Sequence, residues 1–356
     1  MKKLSLYLLS ALAAVAGGCS DLTELNVNPT KANGSIDPSL LVPTIQMSHS
    51  MGRQNAARFF TYPGEWVNHW SGSWGNVEYG GKGIRNNGYF ARLWQDLFYP
   101  EAVKNIVALE NIADNDPELV NYSAIAKVLR VETFLKLTDC YGDVPYFEGG
   151  QGYYQSIFSP KYDRQEAIYN DFFERLDGAL AQFDASKSSP STDCYFGGDV
   201  EKWKRFAASL KLRVAMRLIK VKPDVAQQKA REAFAAGVMT SNADIAAVKH
   251  AEDYETLGAG NGYADIILQV TGNTGLGITQ YKMTTEFFKS LCAMDPQQYT
   301  TPPYRRYLAL DPRLLLIAGV YVTTSGAGLP AWGDAVEVTE LMRKFNAGYA
   351  GNQGPA

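Results

Sequence analysis

Histidine and cysteine are scarce in this chain of 356 residues, which holds three of the first and four of the second. His49, His69 and His250 are scattered, and none has a partner at metal-ligand spacing. No nucleophile elbow, zinc-binding helix motif or phosphate loop occurs. Gly258-Ala259-Gly260-Asn261-Gly262 has neither the preceding strand nor the following helix of a dinucleotide fingerprint. An excess of charge is missing too: 34 basic residues face 37 acidic ones, so no field able to hold nucleic acid is implied. Carboxylates are plentiful, but a glycosidase pair is defined by separation in space, which the sequence does not show. Catalysis is therefore the weaker class, and no cofactor or metal is expected.

Aromatic residues, by contrast, are abundant, with 21 Tyr, 16 Phe and 6 Trp. They either pack helices or offer stacking surfaces, and composition alone does not choose. A chain of this length buries a sizeable core in one large domain or two. The strongest core signal runs from Asn121 to Tyr146. Ile125, Val128, Leu129 and Leu135 recur at helical spacing, and Val131, Phe134 and Leu137 widen the apolar face most of the way round. Such a helix is expected between other helices, ending at a left-handed Gly142 and then Asp143 and Pro145.

The first residues read differently. Lys2 and Lys3, an apolar run from Leu4 to Ala16 and small residues thereafter make residues 1–18 a signal peptide, too short to span a bilayer. Ala16-Gly17-Gly18-Cys19 resembles a bacterial lipobox, in which Cys19 is lipidated and becomes the mature N-terminus. Acyl chains there would hold the protein to a membrane, each buried methylene adding about 0.8 kcal/mol. Residues 19–38 are polar and turn-rich, a tether ahead of a helical domain over 39–356. Of the remaining cysteines, Cys140 and Cys194 could pair if the fold brings them together, while small buried thiols are the plainer reading for them and for Cys292.

Phe59 to Tyr99 is the most unusual segment. Trp66, Trp70 and Trp74 are four apart and share a face if helical, whereas glycines beyond Trp70 argue for loop. Rings beside amides and a guanidinium suit a sugar: rings stack on the C–H faces of a pyranose, while Asn and Arg take hydroxyls. Trp66, Trp70, Trp74 and Tyr79, with Asn76, Arg85 and Asn86, are the candidate ligand contacts, against the alternative that the tryptophans fill gaps between helices. Tyr254 and Tyr263, in a long polar stretch further on, are secondary candidates.

Other helices follow from pattern. A stripe between Tyr89 and Asn115 is interrupted by Pro100, which predicts a kink or two short helices. Asp163 is expected to cap a helix with Glu166 reciprocating, and Asp199 to cap a second one carrying the apolar stripe Trp203, Phe206, Ala207, Leu210, Val214 and Leu218. Pro223 to Gly237 is one more amphipathic helix. Lys202, Arg205, Arg213, Arg217 and Lys220 form either a basic patch or, as the plainer reading, a salt-bridged face.

Four stretches carry a family resemblance: the Tyr141-Gly142-Asp143-Val144-Pro145-Tyr146 turn, Pro160 to Tyr169, Trp203 to Arg213 and Asp311 to Leu314. Together they resemble the SusD/RagB family of surface nutrient-binding lipoproteins of Bacteroidota. The resemblance implies a mainly α fold, a tetratricopeptide-like helical superhelix whose long irregular loops carry the ligand site. It also implies a lipid-anchored, outer-membrane, cell-surface protein that captures an oligosaccharide and delivers it to a SusC-like TonB-dependent transporter. Peptide cargo, as in RagB-like members, and a secreted glycoside hydrolase are the other two readings. After Leu314 the resemblance fades: the family's further helical pair has no counterpart, so the chain is expected to be truncated or a shortened relative.

Overall fold

The computed structural model describes residues 36–50, 64, 66–67, 69–71, 87–91, 93–95 and 101–250, together with two-residue strands further along. The longer helices are α1 (Pro38–His49), α2 (Val103–Ala113), α3 (Val120–Tyr141), α4 (Gln165–Gln182), α5 (Val200–Arg217) and α6 (Pro223–Ala236). The strands are β1 (Trp70–Ser71), β2 (Lys282–Met283), β3 (Cys292–Ala293) and β4 (Ala309–Leu310), paired β1 with β2 and β3 with β4, both antiparallel.

Each long helix packs on the next, and α3 touches α1, α2, α4 and α5. The centrality of α3 follows from its composition: Ile125, Val128, Leu129, Val131, Phe134 and Leu137 are all fully buried. Burying each of the larger ones contributes roughly 2 kcal/mol. Of the α5 stripe, Trp203, Ala207, Leu210 and Val214 are buried while Phe206 and Leu218 pack against the core partly exposed, and Asp199 accepts from the N–H groups of Glu201 (3.0 Å) and Lys202 (3.1 Å). The interrupted stripe before α3 resolves into a single turn at Asn87–Phe90 and then α2, with Pro100 outside the described residues.

Two local expectations need correction. Gly142 does have positive φ (+77°), but its ψ of −124° places it outside the left-handed helical region; its N–H still closes α3 on the Thr138 carbonyl at 2.8 Å. Asp163 does not cap α4. Its backbone pairs with Val144 in a bridge, and its carboxylate accepts from the N–H groups of Tyr146 (3.0 Å) and Phe147 (2.9 Å). The start of α4 is served from a distance by Asp143, which accepts from Gln165 N–H at 2.9 Å, and Glu166 pairs with Lys222 instead.

The turn after α3 is pinned from below by a buried charge. Arg130, 2 % exposed in α3, donates to the Tyr146 carbonyl (2.6 Å) and to Glu110 of α2 (2.9 Å). Its guanidinium lies 4.8 Å from the Tyr146 ring centroid and 5.2 Å from that of Phe134. The other Glu110 oxygen takes Arg175 of α4 at 2.9 Å; Arg175 also holds Asp171 at 2.6 Å, and Asp171 accepts the Tyr146 hydroxyl. Burial pushes that phenol above its ordinary range, so it remains a donor. One network thus joins α2, α3, α4 and the turn.

A second buried pair ties α1 to α3. His49 Nδ1 sits 3.0 Å from Glu132, and His49 Nε2 hydrogen-bonds Thr133. Burial alone would raise the Glu132 carboxyl; the charge and hydrogen bond of His49 outweigh it, helped by Lys136 and Tyr195, and hold it at about 2. Behind this pair, buried Asp193 organises the loop before α5, accepting from Gln46 Nε2 (2.5 Å), Trp203 Nε1 (2.8 Å) and the N–H groups of Tyr195, Phe196 and Gly198.

Two of the five basic residues named on this stretch, Arg205 and Arg217, are paired with carboxylates. Arg205 meets Asp244 at 2.9 Å, Arg217 meets Asp139 at 2.9 Å, and buried Lys211 is held between Asp177 (2.5 Å) and Glu232 (2.8 Å). Cys140 and Cys194 are free thiols, not a disulfide, and burial pushes Cys140 up to about 11.

Replacing Arg130 by Met removes one partner from a desolvated network and strands the Tyr146 carbonyl; urea unfolding should show a loss of about 3 kcal/mol. A loss below about 1 kcal/mol would show that the network does not hold the turn. Glu132, whose folded-state carboxyl titrates below its unfolded value, contributes stability above about pH 4.5 that is lost as pH falls toward 2. Between those limits the wild type should lose on the order of 2 kcal/mol more than Glu132→Gln in pH-dependent urea titrations, and parallel slopes would contradict this.

Candidate functional site

Trp66 is held in part at the surface by a closed turn. The Gly64 carbonyl accepts from His69 N–H at 2.8 Å, closing a turn on which Trp66 is 46 % exposed. The chain then enters β1, where Trp70 stands opposite Met283 and Ser71 opposite Lys282. A helix through Trp66, Trp70 and Trp74 is therefore not formed, and the shared helical face that their spacing offered does not arise. The strand pairing instead brings the start of the aromatic segment beside a stretch far along the chain. Trp74, Asn76, Tyr79, Arg85, Asn86, Tyr254 and Tyr263 lie outside the described residues, as does Cys19.

The end of α3 supports the far side of this segment. Tyr141 donates its hydroxyl to the Phe90 carbonyl (2.5 Å) and accepts from Trp94 N–H (3.2 Å). Its ring meets Phe90 edge-on at 5.0 Å and Trp94 edge-on at 5.5 Å. Burial pushes the Tyr141 phenol up to about 12, so it keeps its proton and its donor role. Tyr162, 64 % exposed, lies nearly parallel to Trp94 with centroids 6.2 Å apart.

Pattern reading passed over a further group of rings on the loop between α3 and α4. Phe147, Tyr153 and Phe158 are exposed, the last two by 80 % and 82 %. Leaving a ring of this size in water forgoes roughly 2 kcal/mol of burial, so a cluster of them marks a surface with a use. The signal was present in the sequence: Tyr153, Tyr154, Phe158 and Tyr162 stand among Gly, Gln, Ser and Lys, the same mixture that singled out residues 59–99. Among the described residues no group of three His, Cys, Asp or Glu side chains could hold a metal ion, and no helix is long and apolar enough to cross a membrane.

Comparison with known proteins places this architecture. Residues 29–258 match the SusD-like family model described as "Starch-binding associating with outer membrane". Among solved structures, a chitin-binding protein is 33 % identical with a TM-score of 0.63, over 72 % of this chain and 52 % of its own. A Bacteroidetes AC2a SusD-like protein is 30 % identical with a TM-score of 0.64, over 72 % of this chain and 48 % of its own. A SusD homologue from Bacteroides uniformis, 24 % identical with a TM-score of 0.55 over 69 % of this chain and 50 % of its own, shares the fold. No curated protein sequence matches the chain. The chain spans about half the length of these solved relatives. Its helices form the tetratricopeptide-like scaffold of those structures, and the chain belongs to the SusD-like family.

Proposed function

We propose that this protein is a cell-surface glycan-binding lipoprotein that captures an oligosaccharide and passes it to a SusC-like TonB-dependent transporter in the outer membrane. The observation that carries the reading is the match of residues 29–258 to a family described as starch-binding. Its physical counterpart is the surface placement of Trp66 on a turn that a backbone hydrogen bond closes.

Trp66, Trp70, Trp74 and Tyr79 supply stacking faces for the C–H side of a pyranose, and Asn76, Arg85 and Asn86 take its hydroxyls. Tyr254 and Tyr263 add outer contacts. Binding of this kind breaks no bond; it needs a surface organised before the ligand arrives, so that little ordering is left to offset the contacts. Acylated Cys19, reached through the tether of residues 19–38, keeps the binder at the membrane that holds the transporter.

A panel of plant, host and microbial glycans, with mixed peptides beside it, tests the cargo by calorimetry. Wild type should bind at least one glycan, and Trp66→Ala and Trp74→Ala should each weaken it about tenfold, the equivalent of roughly 1.4 kcal/mol. Peptide affinity that survives both substitutions, with no glycan bound, would replace the glycan reading with the peptide one. Expressed in cells, Cys19→Ala should leave the membrane fraction; retention there would contradict the lipid anchor.

A further inference from the structure

The loop of residues 145–162 is closed at its base and rigid along its length. The Val144–Asp163 bridge joins its ends, and the Asp163 carboxylate gathers the N–H groups of Tyr146 and Phe147. Lys161 is tied to Glu148 twice, by a 2.9 Å ion pair and by its own N–H at 3.0 Å. Gly150, at φ +80°, presses so closely on α2 that a Cβ there would come within 2.9 Å of Val103. Gln155 N–H bonds the Gln151 carbonyl at 2.8 Å, which completes the single turn Gly152–Gln155. Compact surface loops with joined ends are often functional.

What this fixed backbone presents is aromatic and nearly bare. Tyr153 meets Tyr154 edge-on at 5.0 Å, and the Phe158 ring lies against Gly152, 3.6 Å from where a Cβ would stand. Tyr153 and Phe158 are among the most exposed large side chains of the described residues. Polar groups accompany them: Lys161, Glu148 and Gln151, whose buried Oε1 has no hydrogen-bond partner. Such rings stand beside the charged pair of Lys161 and Glu148 on the same loop. They match a ligand that is apolar on one face and hydroxylated at its rim.

We propose that this loop is a second carbohydrate-contact surface, in which Tyr153 and Phe158 stack on pyranose rings of an extended glycan. The ligand class rests on the glycan-binding reading above; the site does not overlap the residues 66–86 that carry that reading. A second stacking surface raises the effective affinity for a long chain more than for a short one, because the second contact is made within one complex.

The test uses malto- and chito-oligosaccharides of increasing length, titrated into the full chain and into Tyr153→Ala/Phe158→Ala, Tyr153→Phe/Phe158→Tyr and Trp74→Ala. The double alanine variant should lose about tenfold in affinity for the longest bound chain. Its unfolding midpoint should be unchanged, since both rings are exposed. The ring-preserving variant should bind as wild type. A double alanine variant that binds every length normally, while Trp74→Ala is weakened, overturns the second surface and leaves the parent reading standing. Failure of the ring-preserving variant to restore affinity also overturns it. A wild type that binds no member of either series and no glycan of the wider panel overturns both readings.

Discussion

A single buried guanidinium decides where the surface of this protein can be built. Arg130 sits within the central helix α3 and spends its donors on Glu110 and on the Tyr146 carbonyl. Removing a cation from water is costly unless its partners are well placed, and here they come from α2 and from the turn. Because Glu110 is shared with Arg175, and Arg175 with Asp171, the charge is balanced only when α2, α3, α4 and the turn are all in register. Specific geometry, rather than bulk stability, is what such a network secures. The loop of residues 145–162 begins at the carbonyl it holds.

The Tyr-Gly-Asp-Val-Pro-Tyr turn makes sense in that light, residue by residue. Tyr141 anchors Phe90 and Trp94 by its hydroxyl; Gly142 supplies the positive φ that ends α3. Asp143 serves the first turn of α4, Val144 closes the loop against Asp163, and Tyr146 enters the charge network. A short motif with so many separate obligations tolerates little change, which is why it reads so plainly as a family mark.

Much of the scaffold was therefore legible before any coordinates. Apolar spacing placed α3 at the centre and α5 on its Trp203 stripe, and Asp199 caps as its chemistry suggests. What escaped was anything decided by partners distant in sequence. Periodicity could mark Arg130 only as an interruption, since its counter-charges lie on other helices. Asp163 has the residue type and position of a cap, yet the bridge to Val144 turns it toward Tyr146 and Phe147. The tryptophans at four-residue spacing look helical, but β1 pairing takes Trp70 out of that register. The rings at 153 and 158 passed as ordinary loop because exposure is a property of the folded surface.

On the proposed reading, labour is divided between a stack of helices locked by buried charges and exposed rings on which a sugar would lie without a bond being broken. The most direct measurement is saturation-transfer NMR on a glycan mixed with the protein, with the ligand's chain length followed in the same sample. Irradiation of aromatic protons should appear on pyranose C–H protons while the glycan keeps its full length throughout. A shortened glycan, or binding with no transfer from aromatic protons, would contradict it.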